Sequence, residues 1–220
     1  MSAWTTTHLG PGGAAARPGS GYRRRVSAES TPGGSTAGLV LAAGAGRRYG
    51  MPKALVERDG ELLVDRAARI LRAGGCDPVV VVLGAAAGRV RSTARLAGCT
   101  VVDNPDWQSG MGSSLRVGLD ALAGTDTAAA VVLLVDLPGV TAAAVRRVAA
   151  LAAAGALVVA GYGDQRGHPV LLGRWHWAGA ARAAVGDAGA RAYLAAHRDT
   201  VAVVPCGDVA DPRDLDTPEQ

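Results

Sequence analysis

Short, unbroken apolar runs recur along the chain from Gly38 onwards, and polar or glycine-rich residues separate them. Runs of about four to eight apolar residues are typical of strands that are buried on both faces of a sheet. Seven segments have this character: 38–43, 78–84, 100–103, 129–136, 157–162, 168–172 and 201–205. The segments 157–162 and 168–172 flank a glycine-containing turn.

Between the strands, apolar residues recur with the period of a helix. Five helices are predicted in this way: 53–73, 85–97, 113–123, 141–154 and 187–196. Gly74 and Gly75 end the first of them, and Ser113, Ser114 and Thr141 are candidate N-caps. The alternation of strands and helices predicts an α/β fold, a three-layer Rossmann-like architecture with a mostly parallel, mixed sheet in the middle.

Composition divides the chain at residue 37. Residues 1–37 are rich in glycine, serine, threonine, proline and alanine and show no hydrophobic period, which predicts a disordered N-terminal extension. The remainder, 38–220, is predicted to be a single domain. Of the net charge of +4, the extension carries +3, so 38–220 carries about +1. A domain so close to neutral is not expected to bind nucleic acid.

Cysteine usage and hydropathy bear on the compartment. The three cysteines are far apart and odd in number, which fits neither a disulfide framework nor a zinc site. No apolar stretch approaches the roughly 20 residues of a membrane span, and the N-terminus lacks the continuous apolar region of a secretory signal. We therefore expect a cytoplasmic protein with reduced thiols and no membrane partner.

In a predominantly parallel sheet, ligands bind beyond the carboxyl ends of the strands, which marks 44–53, 103–114 and 136–139. The first of these lies in LAAGAGRRYGMPK, over 41–53. It does not fit the dinucleotide fingerprint, because Tyr49 stands where a glycine is required and no acidic residue ends the second strand. It does not fit the Walker A pattern either. A dinucleotide-dependent oxidoreductase is therefore disfavoured.

What remains is a glycine loop with cationic side chains. Gly44 and Gly46 allow backbone N–H groups to approach phosphate oxygens, Arg48 can bind a phosphate with two hydrogen bonds, and Lys53 adds a compact charge. A triphosphate that loses pyrophosphate builds negative charge on its bridging and leaving oxygens, where such cations stabilise the transition state. The loop therefore predicts phosphate binding, with a flexible solvated loop as the alternative.

The other two loops supply polar groups. Asp136 follows a buried strand, where its carboxylate can hold Mg²⁺ against nucleotide phosphates or cap a turn. Asn104 can bond a base or ribose, Gly110 and Gly112 allow backbone contact, and Ser113 and Ser114 are either ligand hydroxyls or simple caps. The function of three further side chains depends on their neighbours. Trp107 is expected to cover the loop rather than stack on a ligand, His168 contacts the second substrate or is structural, and His176 packs.

The pattern L-A-A-G-x-G-x-R-x-G-x-x-K over 41–53 resembles the signature loop of sugar-nucleotide and molybdenum-cofactor nucleotidyltransferases. It is most similar to that of the MobA-like molybdenum cofactor cytidylyltransferase family. Five more segments resemble motifs of that family in the same order: 104–115, 133–140, 166–172, 186–191 and 214–219. Two positions depart from its loop, since Gly46 replaces a common serine and Tyr49 a common methionine. Neither change removes a cation.

The resemblance implies a nucleotidyltransferase fold and the transfer of CMP from CTP to the phosphate of Mo-molybdopterin, with release of pyrophosphate. Arg48, Lys53 and Asp136 are the implied catalytic residues, and Mg²⁺ is the implied cofactor. Asp136 and Asp216 are its implied ligands, with Asp187 the weaker choice for the second. His168 is the implied acceptor contact. The implied nucleotide contacts are Leu41, Ala42, Ala43, Gly44, Gly46, Asn104, Gly112, Ser113 and Ser114.

Three points stay open at this level. The Ala42-Ala43 pair is similar to the cytidylyl form of the motif, whereas guanylyl relatives tend to carry a Gly-Gly pair one step along. The acceptor is alternatively a sugar phosphate or another phosphorylated alcohol. The chain is alternatively a non-catalytic CTP-binding partner in the maturation of a molybdenum enzyme, and such a client enzyme is a further candidate partner.

Overall fold

The computed structural model describes residues 35–215. The first strand begins at Thr36, and Ala37 is completely buried, so ordered structure starts two residues before the predicted boundary at 38. Residues 1–34 lie outside the described residues, and the disorder of the extension stays a prediction. Asp216 lies outside them as well.

The described residues form nine strands, seven of them in one sheet. The strands are β1 (Thr36–Ala42), β2 (Glu57–Arg58), β3 (Glu61–Leu62), β4 (Val79–Leu83), β5 (Thr100–Asp103), β6 (Ala129–Leu134), β7 (Leu157–Tyr162), β8 (Gln165–Gly173) and β9 (Ala202–Pro205). The large sheet has the order β5-β4-β1-β6-β8-β7-β9. Only β8 runs antiparallel to its neighbours, which confirms the mostly parallel, mixed sheet.

Helices cover both faces of this sheet. They are α1 (Leu63–Ala73), α2 (Ala87–Thr93), α3 (Met111–Leu122), α4 (Ala142–Ala149), α5 (Arg174–Ala183) and α6 (Arg191–Ala196). Alternate residues of a strand point to opposite faces. Accordingly, Val40 and Ala42 of β1 belong to a core with α1, α2 and α4, whereas Leu39 and Leu41 belong to a second core with α3, α5 and α6. The predicted three-layer α/β fold is confirmed.

The predicted helix over 53–73 is wrong in its first half. Lys53–Leu55 form a single 3-10 turn, and the small hairpin of β2 and β3 follows before α1 begins at Leu63. Asp59 and Gly60 both adopt positive φ in the two-residue turn of this hairpin. An Asp-Gly pair is a strong hairpin signal. The apolar spacing of the segment concealed it, because Leu55 and Leu62 reach the core from separate elements.

Three further element predictions change. Helix α5 lies in a segment for which the sequence predicted no helix. Trp175, which is 80% exposed, weakens the amphipathic pattern there. Helix α3 begins at Met111, so Ser113 and Ser114 lie inside its first turn and are not its N-cap. Helix α6 begins at Arg191 rather than 187. Thr141 does cap α4, accepting a hydrogen bond from the backbone N–H of Ala144.

No helix within residues 35–215 is long and apolar enough to span a membrane.

Candidate active site

Three loops that follow parallel strands meet at one edge of the sheet. They follow β1, β5 and β6, and β1 is hydrogen-bonded directly to β6. The carboxyl ends of parallel strands share an edge, so the side chains of these loops converge on one region. This edge is where the sequence predicted ligand binding.

Lys53 and Asp136 meet across this edge. The Nζ atom of Lys53 donates to Oδ2 of Asp136 at 2.9 Å, although the residues are 83 positions apart. Their side chains are only 14% and 23% exposed. Partial burial weakens screening by water, so this pair places a strong, oriented dipole beside the glycine loop. Two of the predicted catalytic residues are thus brought together.

The glycine loop is open at one end and closed on itself at the other. A methyl group added at Gly44 would meet no atom within 4 Å, so the backbone there faces open space. Gly46 has φ of +60°, and a methyl group on it would lie 2.0 Å from the carbonyl oxygen of Met51. Gly50 also donates its N–H to the carbonyl of Gly46, at 2.9 Å. Gly46 is therefore required by the turn itself, while Gly44 lies on its accessible side.

The residues before the loop are largely covered by the rest of the fold. Leu41, Ala42 and Ala43 are all buried, and the carbonyl of Ala43 accepts from the N–H of Ala85. Ala42 and Ala43 can therefore offer a nucleotide little beyond backbone atoms, whereas the side chain of Leu41 also borders a cavity near His168. Arg48, in contrast, has an exposed side chain on the loop.

Backbone contacts from distant parts of the chain hold the loop after β6. The carbonyl of Asp136 accepts from the N–H of Leu215 at 2.9 Å, and the carbonyl of Gly139 accepts from Asp211 at 3.0 Å. Arg66 of α1 donates from Nε and Nη2 to the carbonyl of Pro138, at 3.0 and 2.8 Å. The backbone of the loop that carries Asp136 is thus held from both sides. Arg66 is a positioning residue that the sequence did not indicate.

Asn104 organises the loop after β5 from within. It is 2% exposed, and its Nδ2 donates to Ser113 Oγ at 2.7 Å and to Ser114 Oγ at 3.0 Å. Its Oδ1 accepts from the N–H of Asp106 at 3.0 Å. The two serines are each 3% exposed. The side chains of these three predicted nucleotide contacts therefore form hydrogen bonds with one another and with the loop backbone.

Close packing explains the glycines of this loop. A methyl group at Gly112 would lie 2.4 Å from the carbonyl oxygen of Ala184, and Gly110 has φ of +109° against Gly186. Asp187, the weaker metal candidate, accepts from the backbone N–H of Met111 at 3.3 Å and so caps α3. Trp107 lies against Gly84, in agreement with the covering role expected for it.

His168 lies on the other side of Asp136, in β8. Its Nδ1 is 3.1 Å from the carbonyl of Val132, and its own carbonyl accepts from Tyr162 Oη at 2.6 Å. Burial lowers the pKa of its imidazole, an effect that the charge of Asp136 partly opposes and that of Arg191 reinforces. His168 borders a cavity of about 330 Å³ whose rim also includes Arg166 and Arg191. His176, expected to pack, bonds Tyr193 Oη and the carbonyl of Gly155.

Sequence reasoning named neither Arg166 nor Arg191 as a site residue. Both end segments that resemble family motifs: Arg166 opens RGHPVLL and Arg191 closes GDAGAR. Their position in those motifs was the available signal. A second cavity, of about 430 Å³, lies by the β2–β3 hairpin, and its Arg69 and Glu61 are already paired through two hydrogen bonds of 2.8 Å.

The donor set at the sheet edge fits a magnesium ion that takes some of its ligands from the protein and the others from a nucleotide. Mg²⁺ prefers oxygen ligands and commonly takes one or two carboxylates together with phosphate oxygens. Asp136 offers a partly exposed carboxylate beside the glycine loop. Among the described residues there is no cluster of three or more histidine, cysteine, aspartate or glutamate side chains. Phosphate oxygens would therefore complete the coordination.

Comparison with known proteins adds three findings. The chain is 40% identical to the nicotine blue oxidoreductase of Paenarthrobacter nicotinovorans, over 83% of this chain and 93% of that protein. It is 36% identical to a probable molybdenum cofactor guanylyltransferase of Opitutus terrae, over 49% of this chain and 50% of that protein. A crystal structure of Rv0371C from Mycobacterium tuberculosis, in complex with manganese, superposes with a TM-score of 0.70 at 30% identity, covering 84% of this chain and 95% of that one.

A family profile matches most of the domain. It covers residues 38–201, begins inside β1 and includes all three loops of the sheet edge. Its description is that of a MobA-like NTP transferase domain. The order of motifs and the mixed sheet agree with this match. The chain belongs to the MobA-like NTP transferase family.

Proposed function

We propose that this protein is a Mg²⁺-dependent cytidylyltransferase of the cytoplasm, which transfers CMP from CTP to the terminal phosphate of Mo-molybdopterin and releases pyrophosphate. The observation that carries the proposal is the 2.9 Å ion pair between Lys53 and Asp136 beside an accessible glycine loop. A cation and a carboxylate at one strand edge match the two needs of this reaction: neutralisation of phosphate charge and anchorage of a divalent cation.

Each group has a defined task in this scheme. The open backbone around Gly44 receives the phosphates, and Lys53 and Arg48 stabilise the charge that develops on the departing pyrophosphate. Asp136 would hold Mg²⁺, and Asp216, which follows Leu215 in the sequence, is the candidate second ligand. When bound, the ion lowers the charge on the phosphate oxygens that it contacts.

No general base is required for this chemistry. The acceptor phosphate is already an anion at neutral pH, so positioning and charge neutralisation supply most of the rate enhancement. Asn104, Ser113 and Ser114 contribute by fixing the loop that borders the nucleotide, since their own hydrogen bonds are satisfied within it. The Ala42-Ala43 pair supports CTP, whereas the Opitutus terrae relative is named a guanylyltransferase.

The test is pyrophosphate release with each of the four nucleoside triphosphates, in the presence of Mg²⁺ and molybdopterin. CTP should support turnover, and Lys53→Met or Asp136→Asn should lower kcat by about 10²- to 10³-fold because each removes a preorganised charge. Arg91→Met is the matched control, since it breaks an exposed ion pair of 3.0 Å with Asp103. Near-normal turnover in either site variant, or no release with any nucleotide, would overturn the proposal.

A second candidate follows from one comparison. The relative from Paenarthrobacter nicotinovorans, 40% identical over 93% of its length, is named an oxidoreductase. The corresponding reaction here would be reduction of a ring compound in the cavity beside His168 by a nicotinamide nucleotide. Loss of absorbance at 340 nm from NADH or NADPH, with a quinonoid dye as the acceptor, measures it directly. Nicotinamide oxidation without any pyrophosphate release would favour this candidate over nucleotidyl transfer.

A further inference from the structure

The cavity beside His168 combines an apolar wall with a few polar groups. Its volume is about 330 Å³, within the range of small-molecule sites. Strands β1, β6, β7 and β8 form one side, and α3 and α6 form the other. The aliphatic side chains of its wall include Leu41, Leu115, Val132, Leu134, Val170 and Leu194. Such a wall favours the face of a flat ring, which carries no polar groups, over a sugar, whose hydroxyls project from the ring and would lose their hydrogen bonds to water.

His168 presents a hydrogen-bond acceptor to this cavity. A carbonyl oxygen can only accept, so the contact with Val132 places the proton on Nδ1 and leaves a lone pair on Nε2. Nε2 bonds to no described residue, and every fully buried side-chain nitrogen or oxygen among the described residues has a partner. Nε2 is therefore reached from the cavity that His168 lines. A lone pair there attracts an N–H or O–H group and repels a phosphate.

Two cations stand at the rim. The side chains of Arg166 and Arg191 are exposed, line the cavity and form no hydrogen bond or ion pair with any described residue. An arginine binds carboxylate or phosphate through two parallel hydrogen bonds, and a neighbouring apolar wall strengthens this attraction by lowering the local dielectric. The anion partner at this site is therefore an arginine pair and not the histidine.

The cavity adjoins the predicted reaction centre. Leu134 lies two residues before Asp136, and Leu41 lies where the glycine loop begins. The charge of Asp136 also acts on the imidazole of His168. Because β8 runs antiparallel to β6, its first residues, including Arg166, lie at the same edge of the sheet as the loop of Asp136.

We propose that this cavity is the acceptor site and that it recognises three features of the acceptor separately: the face of a flat ring by the aliphatic wall, an anionic group by Arg166 and Arg191, and an N–H or O–H donor by Nε2 of His168. The name acceptor rests on the proposed function. The recognition itself does not, because it is a property of the cavity in the absence of nucleotide.

Binding of a stable probe tests this division. Pterin-6-carboxylate has a bicyclic ring, N–H donors and a carboxylate, and 6-methylpterin lacks only the anion. Titration of the full-length protein by fluorescence should show tighter binding of the carboxylate. Arg166→Ala and Arg191→Ala should each weaken pterin-6-carboxylate by about tenfold, the value of a charge-assisted hydrogen bond, and leave 6-methylpterin within about twofold. Arg182→Ala, an exposed arginine outside the cavity, should change neither.

Two variants of His168 separate its contacts. In His168→Asn the amide N–H can still reach Val132 but no acceptor remains at the Nε2 position, so both probes should bind about tenfold more weakly. In His168→Gln the side-chain oxygen can replace Nε2, and affinity for both probes should largely return. Thermal unfolding of each variant shows whether the fold is intact.

The outcomes are distinct. The proposal is overturned if neither probe binds the unaltered protein, if the arginine variants weaken both probes equally, or if His168→Asn binds both normally. Displacement of the probe by saturating CTP also overturns it, because the cavity would then be part of the nucleotide site. The expected binding pattern without pyrophosphate release for any nucleotide would contradict the proposed transfer reaction and leave the cavity assignment in place.

Discussion

The two sides of Asp136 use their polar groups in opposite ways. Toward β5, Asn104, Ser113 and Ser114 are buried and hydrogen-bonded to one another and to the loop. Toward β8, His168 Nε2, Arg166 and Arg191 border a cavity and have no partner among the described residues. The first side is complete without a ligand, whereas the second has hydrogen-bonding capacity that a ligand would satisfy.

This difference means that a residue in a family-like motif need not be one that contacts a ligand. The residues after β5 belong to a motif-like segment because they build a rigid loop, and the glycines there are needed for close packing against 184–186. The residues around β8 also belong to a motif-like segment, but they remain accessible from the cavity. Substitutions on the first side should therefore act through stability, and those on the second through binding.

The largest stability effect is expected at Asn104. Asn104→Ala removes a side chain that makes three hydrogen bonds and leaves buried groups unsatisfied, so the free energy of unfolding should fall by about 2–3 kcal/mol. Urea denaturation measures it. Arg166→Ala, on the exposed side, should change it by less than about 0.5 kcal/mol. Equal losses in the two variants would remove the distinction between the two sides.

Gly112 tests whether its close approach is to protein or to ligand. Gly112→Ala sets a methyl group 2.4 Å from the carbonyl oxygen of Ala184, so the free energy of unfolding should fall by about 1–2 kcal/mol. Gly88, in α2, has no atom within 4 Å of an added methyl group, and Gly88→Ala should raise that free energy by about 0.5–1 kcal/mol. Unchanged stability in Gly112→Ala, together with weaker nucleotide binding, would contradict this prediction and show that Gly112 contacts the nucleotide.

The smallest effect is a pH dependence from His168. Burial lowers the pKa of its imidazole in the folded protein, so between that pKa and the unfolded value of about 6.5 the unfolded chain binds more protons. Its contribution to stability is complete above about pH 6.5 and is lost as the pH falls toward the folded pKa. His168→Asn should flatten this part of the curve. Urea denaturation at several pH values between about 5 and 8 checks it; identical slopes in both proteins would contradict it.

The sequence predicted the sheet well because parallel strands buried on both faces are continuous apolar runs, as in β1, β4 and β6. It failed over 53–62, where the Asp59-Gly60 turn separates apolar residues that share a core but not a helix. It also placed Lys53 and Asp136 in one site, from the chemistry of the two loops and their resemblance to family motifs, and the structure joins them.

Which polar residues bond to one another could not be read from the sequence. Asn104 and Ser113 are nine positions apart, and their contact depends on how the loop after β5 folds back onto α3. Arg166 and Arg191 approach one cavity only because β8 and α6 pack on the same face. Long-range packing decides such cases, and a periodic pattern does not record it.

The hydrogen bond from Leu215 to the carbonyl of Asp136 has a consequence for biosynthesis. The three loops at the sheet edge are synthesised well before residue 215, yet the backbone carbonyl of Asp136 obtains this partner only from that residue. This contact of the Asp136 loop can therefore form only after residue 215 has been synthesised, and a chain that is cut before that residue lacks it.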